Sequence, residues 1–197
     1  MMTYTIFNSP LLKHIFRWIA LFFLYVTGWK TEGRIPKSKK YVLVAAHHTS
    51  NWDLLYTILT AFSLKIKVYW LGKETLFKNP IYGYVMRWLG GIPVNRSEST
   101  NVVDQIVQKF NECDELAITI SPAGTRSKIK KWRSGFYHIA KNAGIPIVLG
   151  FVDYSRKIGG IGPEIYVTGD YDSDMELIKE FYKDKQGKHA DRQFSYK

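Results

Sequence analysis

Short apolar runs alternate with segments of helical periodicity along most of this chain, and this alternation limits the possible folds more than any other feature. Strands are predicted at residues 41–46, 66–71, 116–120, 145–152 and 164–168, and helices at about 51–62, 84–88, 102–110, 136–143 and from 173 onward. Gly144 is the predicted stop of one helix, and Ser173 with Glu176 is the predicted capping box of the last. This pattern indicates an α/β fold in which helices cover a central mixed sheet. A length of 197 residues suits one such domain.

The N-terminal segment is set apart by an apolar run that predicts a helix. Ser9 and Pro10 are start signals, Gly28 is a stop signal, and the run from Trp18 to Val26 is apolar throughout. A helix that spans a bilayer needs about 20 apolar residues, so this run is short for that task. We predict a membrane-interfacial helix, and the alternative is a core helix of a soluble domain. The predicted division is a membrane-associating helix at 1–29, a main domain at 30–182 and a solvated polar tail at 183–197.

The chain is strongly basic, with 28 Lys and Arg residues against 17 Asp and Glu residues and a formal charge of +11. This excess favours a polyanionic partner, either nucleic acid or an anionic lipid surface. Residues 128–136 mix cations with Trp132, a composition that favours a headgroup-binding surface over a plain solvated loop. Cys113 is the single cysteine, which excludes an intrachain disulfide and a thiolate metal cluster and fits a reducing compartment.

Two histidines follow the first strand directly, in the stretch VAAHHTSNWD at residues 44–53. Adjacent strand residues point in opposite directions, so one imidazole should face inward and the other a cleft, which argues against one shared metal ion. His48 and Asp53 fit a general base whose ring is oriented by a carboxylate. Ser50 and Asp53 fit a helix cap of the S-x-x-D type equally well. No G-x-S-x-G nucleophile elbow occurs, so a base at this position would activate a nucleophile of the substrate.

Further stretches join this motif, and the set resembles the glycerophospholipid acyltransferases of the lysophosphatidate acyltransferase type. The first family motif, N-H-x-S-x-x-D (HX4D), corresponds to His48, Ser50 and Asp53, with His47 in place of the common Asn. The other matching stretches are GKETLFKNP at 72–80 with Lys73, GGIPVNR at 90–96 with Arg96, SPAGTRS at 121–127 with Arg126, and GIPIV at 144–148 with Pro146. The resemblance covers about residues 30–170, which makes the main domain an expected acyltransferase domain.

The resemblance implies transfer of a fatty acyl group from acyl-CoA or acyl carrier protein to a hydroxyl of a lysophospholipid or a glycerol-phosphate-like acceptor. His48 would be the base and Asp53 its orienting carboxylate, without a covalent acyl-enzyme, a metal or another cofactor. The cations expected to bind the substrate phosphate are Lys73, Arg96 and Arg126. The supporting motif residues are Ser50, Gly91, Ile92, Gly124, Thr125 and Pro146. Backbone amides around Gly91 and Ile92 are the expected oxyanion contact.

Ala123 departs from the family pattern, which has Glu at this place in the third motif. Loss of that carboxylate removes an acceptor for a glycerol hydroxyl or an orienting group for Arg126, so the acceptor need not be lysophosphatidate. A catalytically silent lipid-binding relative is therefore an alternative. A basic nucleic-acid-binding domain is a second alternative, but the chain has none of the usual motifs, and no nucleic-acid partner is expected. The expected partners are membrane lipids and the acyl thioester donor, and the expected location is the cytoplasmic face of a membrane.

Overall fold

The fold is built on one mixed sheet. The computed structural model describes residues 5–94 and 99–195, and within these ranges seven strands pair in the order β1-β7-β6-β2-β5-β3-β4. The strands are β1 (Lys30–Glu32), β2 (Lys40–Ala46), β3 (Tyr69–Lys73), β4 (Gly91–Val94), β5 (Leu116–Ile120), β6 (Ile147–Asp153) and β7 (Ile158–Ile165). Only the β6–β7 pair is antiparallel among these, so the carboxyl ends of β2, β3, β5 and β6 meet at one edge.

Helices cover both faces of this sheet, which confirms the predicted α/β architecture. They are α1 (Leu12–Val26), α2 (Trp52–Ser63), α3 (Pro80–Trp88), α4 (Ser99–Glu112), α5 (Gly135–Ala143) and α6 (Tyr171–Tyr182). The alternation of β2 sorts the two layers, because Val42 and Val44 pack with α4, α5 and α6, whereas Leu43 packs with α2. Short 3-10 helices lie at Ile6–Asn8, Glu74–Phe77 and Ala190–Arg192.

The sequence misplaced the edges of the sheet. Strand β7 occupies Ile158–Ile165 and not the predicted 164–168, and β1 and β4 were not predicted. The stretch IGGIGPEI contains three isoleucines, but its three glycines and its proline are residue types that are depleted in strands. Its glycines are required by contact, because a Cβ at Gly159 would lie 2.1 Å from Thr60 Oγ1 and a Cβ at Gly160 would lie 2.6 Å from the ring of Phe151. Tertiary packing, and not strand propensity, therefore sets β7.

The last helix starts earlier than predicted. Its cap is Asp170, whose side chain accepts a hydrogen bond from the amide of Ser173, so the predicted capping box of Ser173 and Glu176 is wrong. Asp174, inside the first turn, instead accepts a hydrogen bond from the buried hydroxyl of Tyr137 at 2.9 Å. Met175 and Ile178 of α6 are buried, and the fully buried aromatic residue at its end is Tyr182.

The N-terminal helix has one face in the core and one face exposed, and its contact with a membrane stays a prediction. Ala20 and Leu24 are buried against α2, and Phe16 stacks on Phe62 with 5.8 Å between the ring centroids. The opposite face exposes large apolar side chains, namely Leu11, Ile15, Trp18, Ile19, Phe22, Tyr25 and Val26. We call these residues the outer face of α1. None of the helices within the described residues is long and apolar enough to cross a membrane.

Two predicted surface features are wrong. Trp132 does not belong to a headgroup-binding surface, because it is buried and packs 5.6 Å from the ring of Tyr182. The described part of the tail, residues 183–195, is not simply solvated. Phe194 packs on Trp132, Lys185 is buried, and the carbonyl of Gln186 accepts a hydrogen bond from the amide of Tyr154. The tail therefore lies against the main domain near the ends of β2 and β6.

Gly144 ends α5 in the left-handed conformation, with φ of 63°, as the sequence predicts. We expect Gly144→Ala to lower the free energy of unfolding by about 1–2 kcal/mol, because a Cβ there has open space but strains the backbone. The control is Gly135→Ala, at the first residue of the same helix, where φ is not left-handed and a Cβ meets nothing closer than 4.0 Å. Urea denaturation of both variants measures the difference, and equal stability of the two would contradict the prediction.

Candidate active site

A cavity opens at the carboxyl edge of the sheet, where parallel α/β folds place their sites. Its volume is about 980 Å³, and it extends between the ends of β2, β3 and β5 and the start of α2. His48 and Asp53 line it together with apolar side chains of α2 and α3, among them Leu54, Ile58 and Met86. The arrangement places a polar reaction centre at one end of a largely apolar chamber.

His48 and Asp53 lie in direct contact. Nδ1 of His48 is 3.1 Å from Oδ2 of Asp53, and the His48 side chain is 32% exposed while that of Asp53 is 6% exposed. The same Asp53 oxygen accepts hydrogen bonds from the amides of Thr49 at 2.7 Å and Ser50 at 2.8 Å. Asp53 therefore accepts hydrogen bonds from backbone amides at the start of α2 and also contacts the imidazole of His48. The helix-cap interpretation and the His–Asp pair interpretation of the motif are both compatible with this geometry. Because the carboxylate holds Nδ1, the ring presents Nε2 as its free nitrogen.

The Asp53 carboxylate is ionised although it is buried. Burial by itself raises the pKa of a carboxyl group, but the hydrogen bonds from His48, the Ser50 amide and Tyr154 outweigh it and hold the pKa of Asp53 below its ordinary value of 3.8. An ionised partner favours the protonated imidazole that forms when His48 takes up a proton.

His47 faces inward, as expected for one of the two imidazoles, but strand alternation is not the reason. β2 ends at Ala46, and His47 contacts Tyr182, which packs on the same side of the sheet as Ala46. The side chain of His47 is buried, and Nε2 lies 3.3 Å from the carbonyl oxygen of Tyr182. Burial lowers the pKa of His47 below its ordinary value of 6.5, so the ring is neutral at pH 7. The two imidazoles thus have separate environments, and no group of three or more potential metal-ligating His, Cys, Asp or Glu side chains occurs within the described residues.

Two of the three predicted phosphate-binding cations line the cavity. Lys73 lies at the end of β3 and Arg126 in the loop after β5, and both are exposed. The third, Arg96, lies outside the described residues. Arg133 lines the same cavity, and its side chain passes close to Gly124, where a Cβ would lie 2.9 Å from Nε. The sequence signal for Arg133 was only its place in a basic loop.

The supporting motif residues lie in four places. Gly124 and Thr125 line the cavity, and Ser50 accepts a hydrogen bond from the amide of Trp52 at the start of α2. Gly91 and Ile92 lie within β4 and outside the cavity lining, a placement that does not support the expected oxyanion contact. Pro146 precedes β6 at the opposite edge of the sheet, where its carbonyl accepts a hydrogen bond from Val42. Ala123 also lies outside the lining.

Tyr154 and two hydroxyl groups are site features that sequence reasoning missed. The hydroxyl of Tyr154 donates to Oδ1 of Asp53 at 2.8 Å, and burial followed by the charge of Asp53 raises the pKa of this phenol, which keeps it protonated. The buried hydroxyls of Thr119 and Ser121 line the cavity and have no hydrogen-bond partner among the described protein atoms. Tyr154 is 101 residues from Asp53 along the chain, so no local pattern connects them.

Comparison with known proteins agrees with this geometry. The family model described as Acyltransferase matches residues 29–148, which include His48, Asp53 and the cavity-lining loop after β5. The chain belongs to the acyltransferase family. The match ends inside β6, so it includes neither Tyr154 nor the tail.

Several members of this acyltransferase family resemble the chain. It is 28% identical over 138 residues to "1-acyl-sn-glycerol-3-phosphate acyltransferase BAT2, chloroplastic" of Brassica napus, covering 66% of this chain and 38% of the relative. It is 29% identical over 145 residues to the 1-acyl-sn-glycerol-3-phosphate acyltransferase of Streptococcus pneumoniae, covering 65% and 53%. The matched regions thus span about half or less of the length of these relatives.

A solved structure shares the fold of this chain. The crystal structure of the 1-acyl-sn-glycerophosphate (LPA) acyltransferase PlsC from Thermotoga maritima superposes with a TM-score of 0.62. The likeness covers 90% of this chain and 82% of that one at 17% identity. Since the identity is low, the comparison establishes the sheet and its flanking helices alone.

Tyr154→Phe tests the hydrogen bond to Asp53. We expect the variant to lose about 1.5–3 kcal/mol of stabilisation of the carboxylate, because the ring packing stays but the hydroxyl donor to a charged acceptor is lost. The free energy of unfolding should fall by that amount at pH 7. The difference should shrink as the pH drops through the low pKa of Asp53, since a depressed carboxyl pKa contributes stability only while the group is ionised.

The matched control for this prediction is Tyr56→Phe. Tyr56 stacks in the same aromatic group, with 5.7 Å between its ring centroid and that of Tyr154. Denaturation curves of both variants between pH 3 and pH 7 provide the measurement. A pH-independent loss in Tyr154→Phe, or the same pH dependence in both variants, would contradict a hydrogen bond to the ionised carboxylate.

Proposed function

We propose that this protein transfers a fatty acyl group from an acyl thioester to a hydroxyl of a lysolipid, as a step of phospholipid synthesis. The observation that carries the proposal is the contact between His48 and the buried, ionised Asp53 at the polar end of an apolar chamber. Family membership supports the reaction class, and the names of the relatives support a phosphorylated lysolipid as acceptor.

In the proposed reaction Nε2 of His48 takes the proton of the acceptor hydroxyl as its oxygen attacks the thioester carbonyl. The tetrahedral intermediate then collapses, the carbon–sulfur bond breaks, and the imidazolium returns the proton to the leaving thiolate. Asp53 fixes the tautomer of His48 and stabilises the transient imidazolium. A thioester is already activated, so positioning by the chamber supplies much of the remaining rate enhancement, and the reaction needs no resident cofactor or metal.

The cations and the hydroxyl groups of the chamber fit the polar part of a lysolipid. Lys73 at the end of β3 and Arg126 in the loop after β5 border the chamber, so an acceptor phosphate between them would be bound from two sides. Arg96, from the second motif, remains a predicted third ligand. The unpaired hydroxyls of Thr119 and Ser121 offer hydrogen bonds to an ester or a glycerol oxygen.

The third motif of this chain differs from the family pattern at Ala123, and this difference concerns the acceptor. Ala123 provides no carboxylate where the resembled motif has Glu, and its neighbours Gly124 and Arg126 line the chamber. We infer that the site is less selective for lysophosphatidate, because a charge-assisted hydrogen bond of about 1.5–3 kcal/mol is lost. Other lysolipids then become competing acceptors.

The outer face of α1 supports a membrane-surface location. Trp18 and Phe22 are 69% and 68% exposed, and a helix with one buried and one exposed apolar face suits the boundary between headgroups and acyl chains. Lys13 on the same helix is exposed and favours anionic headgroups. Exposed Ile81 and Tyr84 extend the apolar surface onto α3, which contacts α1 through Phe16 and Trp88. We propose that the protein docks on the cytoplasmic face of a membrane.

His48→Ala tests the reaction. We expect it to lower kcat by about 10²- to 10⁴-fold, since it removes the general base, and Asp53→Asn to lower it less. His138→Ala, which removes an exposed histidine of α5, is the control. Product formation is measured by mass spectrometry with acyl-CoA or acyl carrier protein and a panel of lysophosphatidate and two other lysolipids. Near-wild-type turnover by His48→Ala would overturn the mechanism, and lipid binding without turnover would identify a silent relative.

A charge on the outer face of α1 tests membrane docking. Truncation of residues 1–29 is unsuitable, because Leu24 and Trp29 belong to the core. We expect Trp18→Glu with Phe22→Glu to abolish flotation with anionic liposomes while the thermal stability stays unchanged. Leu177→Glu, which charges a 59% exposed leucine on α6, is the matched control and should float like the wild type. Flotation of the α1 double variant at high salt, where the basic contacts are screened, would contradict the docking face.

A further inference from the structure

A second cavity lies beside the chamber of His48, and its lining is polar and basic. Its volume is about 730 Å³, and the residues that line it are Thr49, Ser50, Asn51, Arg126, Ser127, Lys128, His189 and Arg192. Asn51 and Arg126 also line the His48 chamber, so the two cavities adjoin. None of these lining residues carries a carboxylate, whereas three of them carry a permanent positive charge. We call this space the basic cavity.

The tail builds one wall of the basic cavity. The amide of His189 donates to Oγ1 of Thr49 at 3.2 Å, which fixes the tail against the segment that carries the catalytic motif. Gly187 makes this approach possible, because a Cβ there would lie 2.9 Å from Oγ1 of Thr49. Gly187 in turn donates its amide to the side chain of Gln193. The turn at Ala190–Arg192 therefore has a fixed place beside the start of α2.

The charges of the basic cavity are available to a ligand. Arg192 lies 3.9 Å from the exposed carboxylate of Asp191, a separation too long for a hydrogen bond. Arg126 and Lys128 are exposed and reach the cavity from the loop after β5. Guanidinium groups bind phosphate oxygens with two parallel hydrogen bonds, and Lys adds a point charge. The chemistry of the lining is therefore that of a site for phosphate esters.

We propose that the basic cavity binds the phosphate groups of the acyl donor, at the end of its pantetheine arm remote from the thioester. This assignment rests on the acyl transfer proposed above and names the part of the protein that recognises the donor. The thioester would lie at His48, the arm would pass Asn51 and Arg126 at the boundary of the two cavities, and the phosphates would meet Lys128 and Arg192.

The phosphates of the donor and the phosphate of the acceptor must bind in different places. In a lysolipid the phosphate lies within a few bonds of the reacting hydroxyl, so it must bind inside the chamber of His48, near Lys73. In the donor the long pantetheine arm lies between the thioester and the phosphates, so these must bind outside that chamber. The basic cavity meets this requirement because it adjoins the chamber but is not lined by His48. CoA and acyl carrier protein share the phosphopantetheine group, so either donor fits this assignment.

Steady-state kinetics of charge-removal variants test the assignment. We expect Lys128→Ala and Arg192→Ala each to raise KM for the donor by about three- to tenfold, since each removes one exposed ion pair with a phosphate. The kcat and the KM for lysophosphatidate should stay unchanged, and Arg192→Lys should restore most of the donor affinity. Palmitoyl-CoA and palmitoyl-acyl carrier protein are assayed separately. The matched controls are Lys131→Ala and Arg34→Ala, which remove exposed charges outside both cavities.

A direct binding measurement tests the assignment without any need for turnover. Isothermal titration of wild-type protein and of the Lys128→Ala, Arg192→Ala double variant uses CoA and holo-acyl carrier protein without acyl chains. Weaker binding of CoA or holo-acyl carrier protein by the double variant supports the assignment of the basic cavity. If this result comes with no detectable acyl transfer, the proposed function is wrong but the assignment of the basic cavity still holds. An unchanged donor KM, a raised KM for lysophosphatidate instead, or no wild-type binding of either probe would overturn the assignment.

Discussion

The site depends on the hydrogen bonds that hold the Asp53 carboxylate ionised inside the protein. Its two oxygens accept from the imidazole of His48, the amides of Thr49 and Ser50, and the hydroxyl of Tyr154. These donors come from the end of β2, the start of α2 and the end of β6, so one buried charge connects three elements. Each bond offsets part of the cost of burying the charge, and together they lower the pKa of Asp53. The geometry of the His48–Asp53 pair and the local fold are therefore stabilised by the same contacts.

The end of β2 then decides what the neighbouring side chains can do. β2 ends at Ala46, and His47 contacts Tyr182 on the side where Ala46 packs, whereas His48 contacts Asp53 at the start of α2. The two histidines therefore have separate environments although the strand does not extend to them. The flanking partners β5 and β6 both pair with β2 in parallel, and this two-sided pairing fixes the register.

The sequence predicted what depends on local signals. Strands β2 and β5 consist of continuous apolar residues, and α5 ends at a glycine, so each was predicted within about one residue. The His48–Asp53 pair was predicted because five residues separate its members. Strand β7 and the aromatic partner Tyr154 were not predicted, because both depend on contacts between segments far apart in the chain. The packed tail was missed for the same reason, since its polar composition conceals the contact between Phe194 and Trp132.

The two-faced character of α1 sets how deeply the protein could enter a bilayer. Because Ala20 and Leu24 are fixed in the core, the helix cannot detach and immerse its full circumference. Only its outer half, on the order of 5 Å, is available to the acyl-chain boundary. In the docking proposed above, the half of α1 that carries Ala20 and Leu24 would stay outside the hydrocarbon together with the core it packs against. Membrane attachment of this kind would be reversible, because it needs no change in the contacts between α1 and α2.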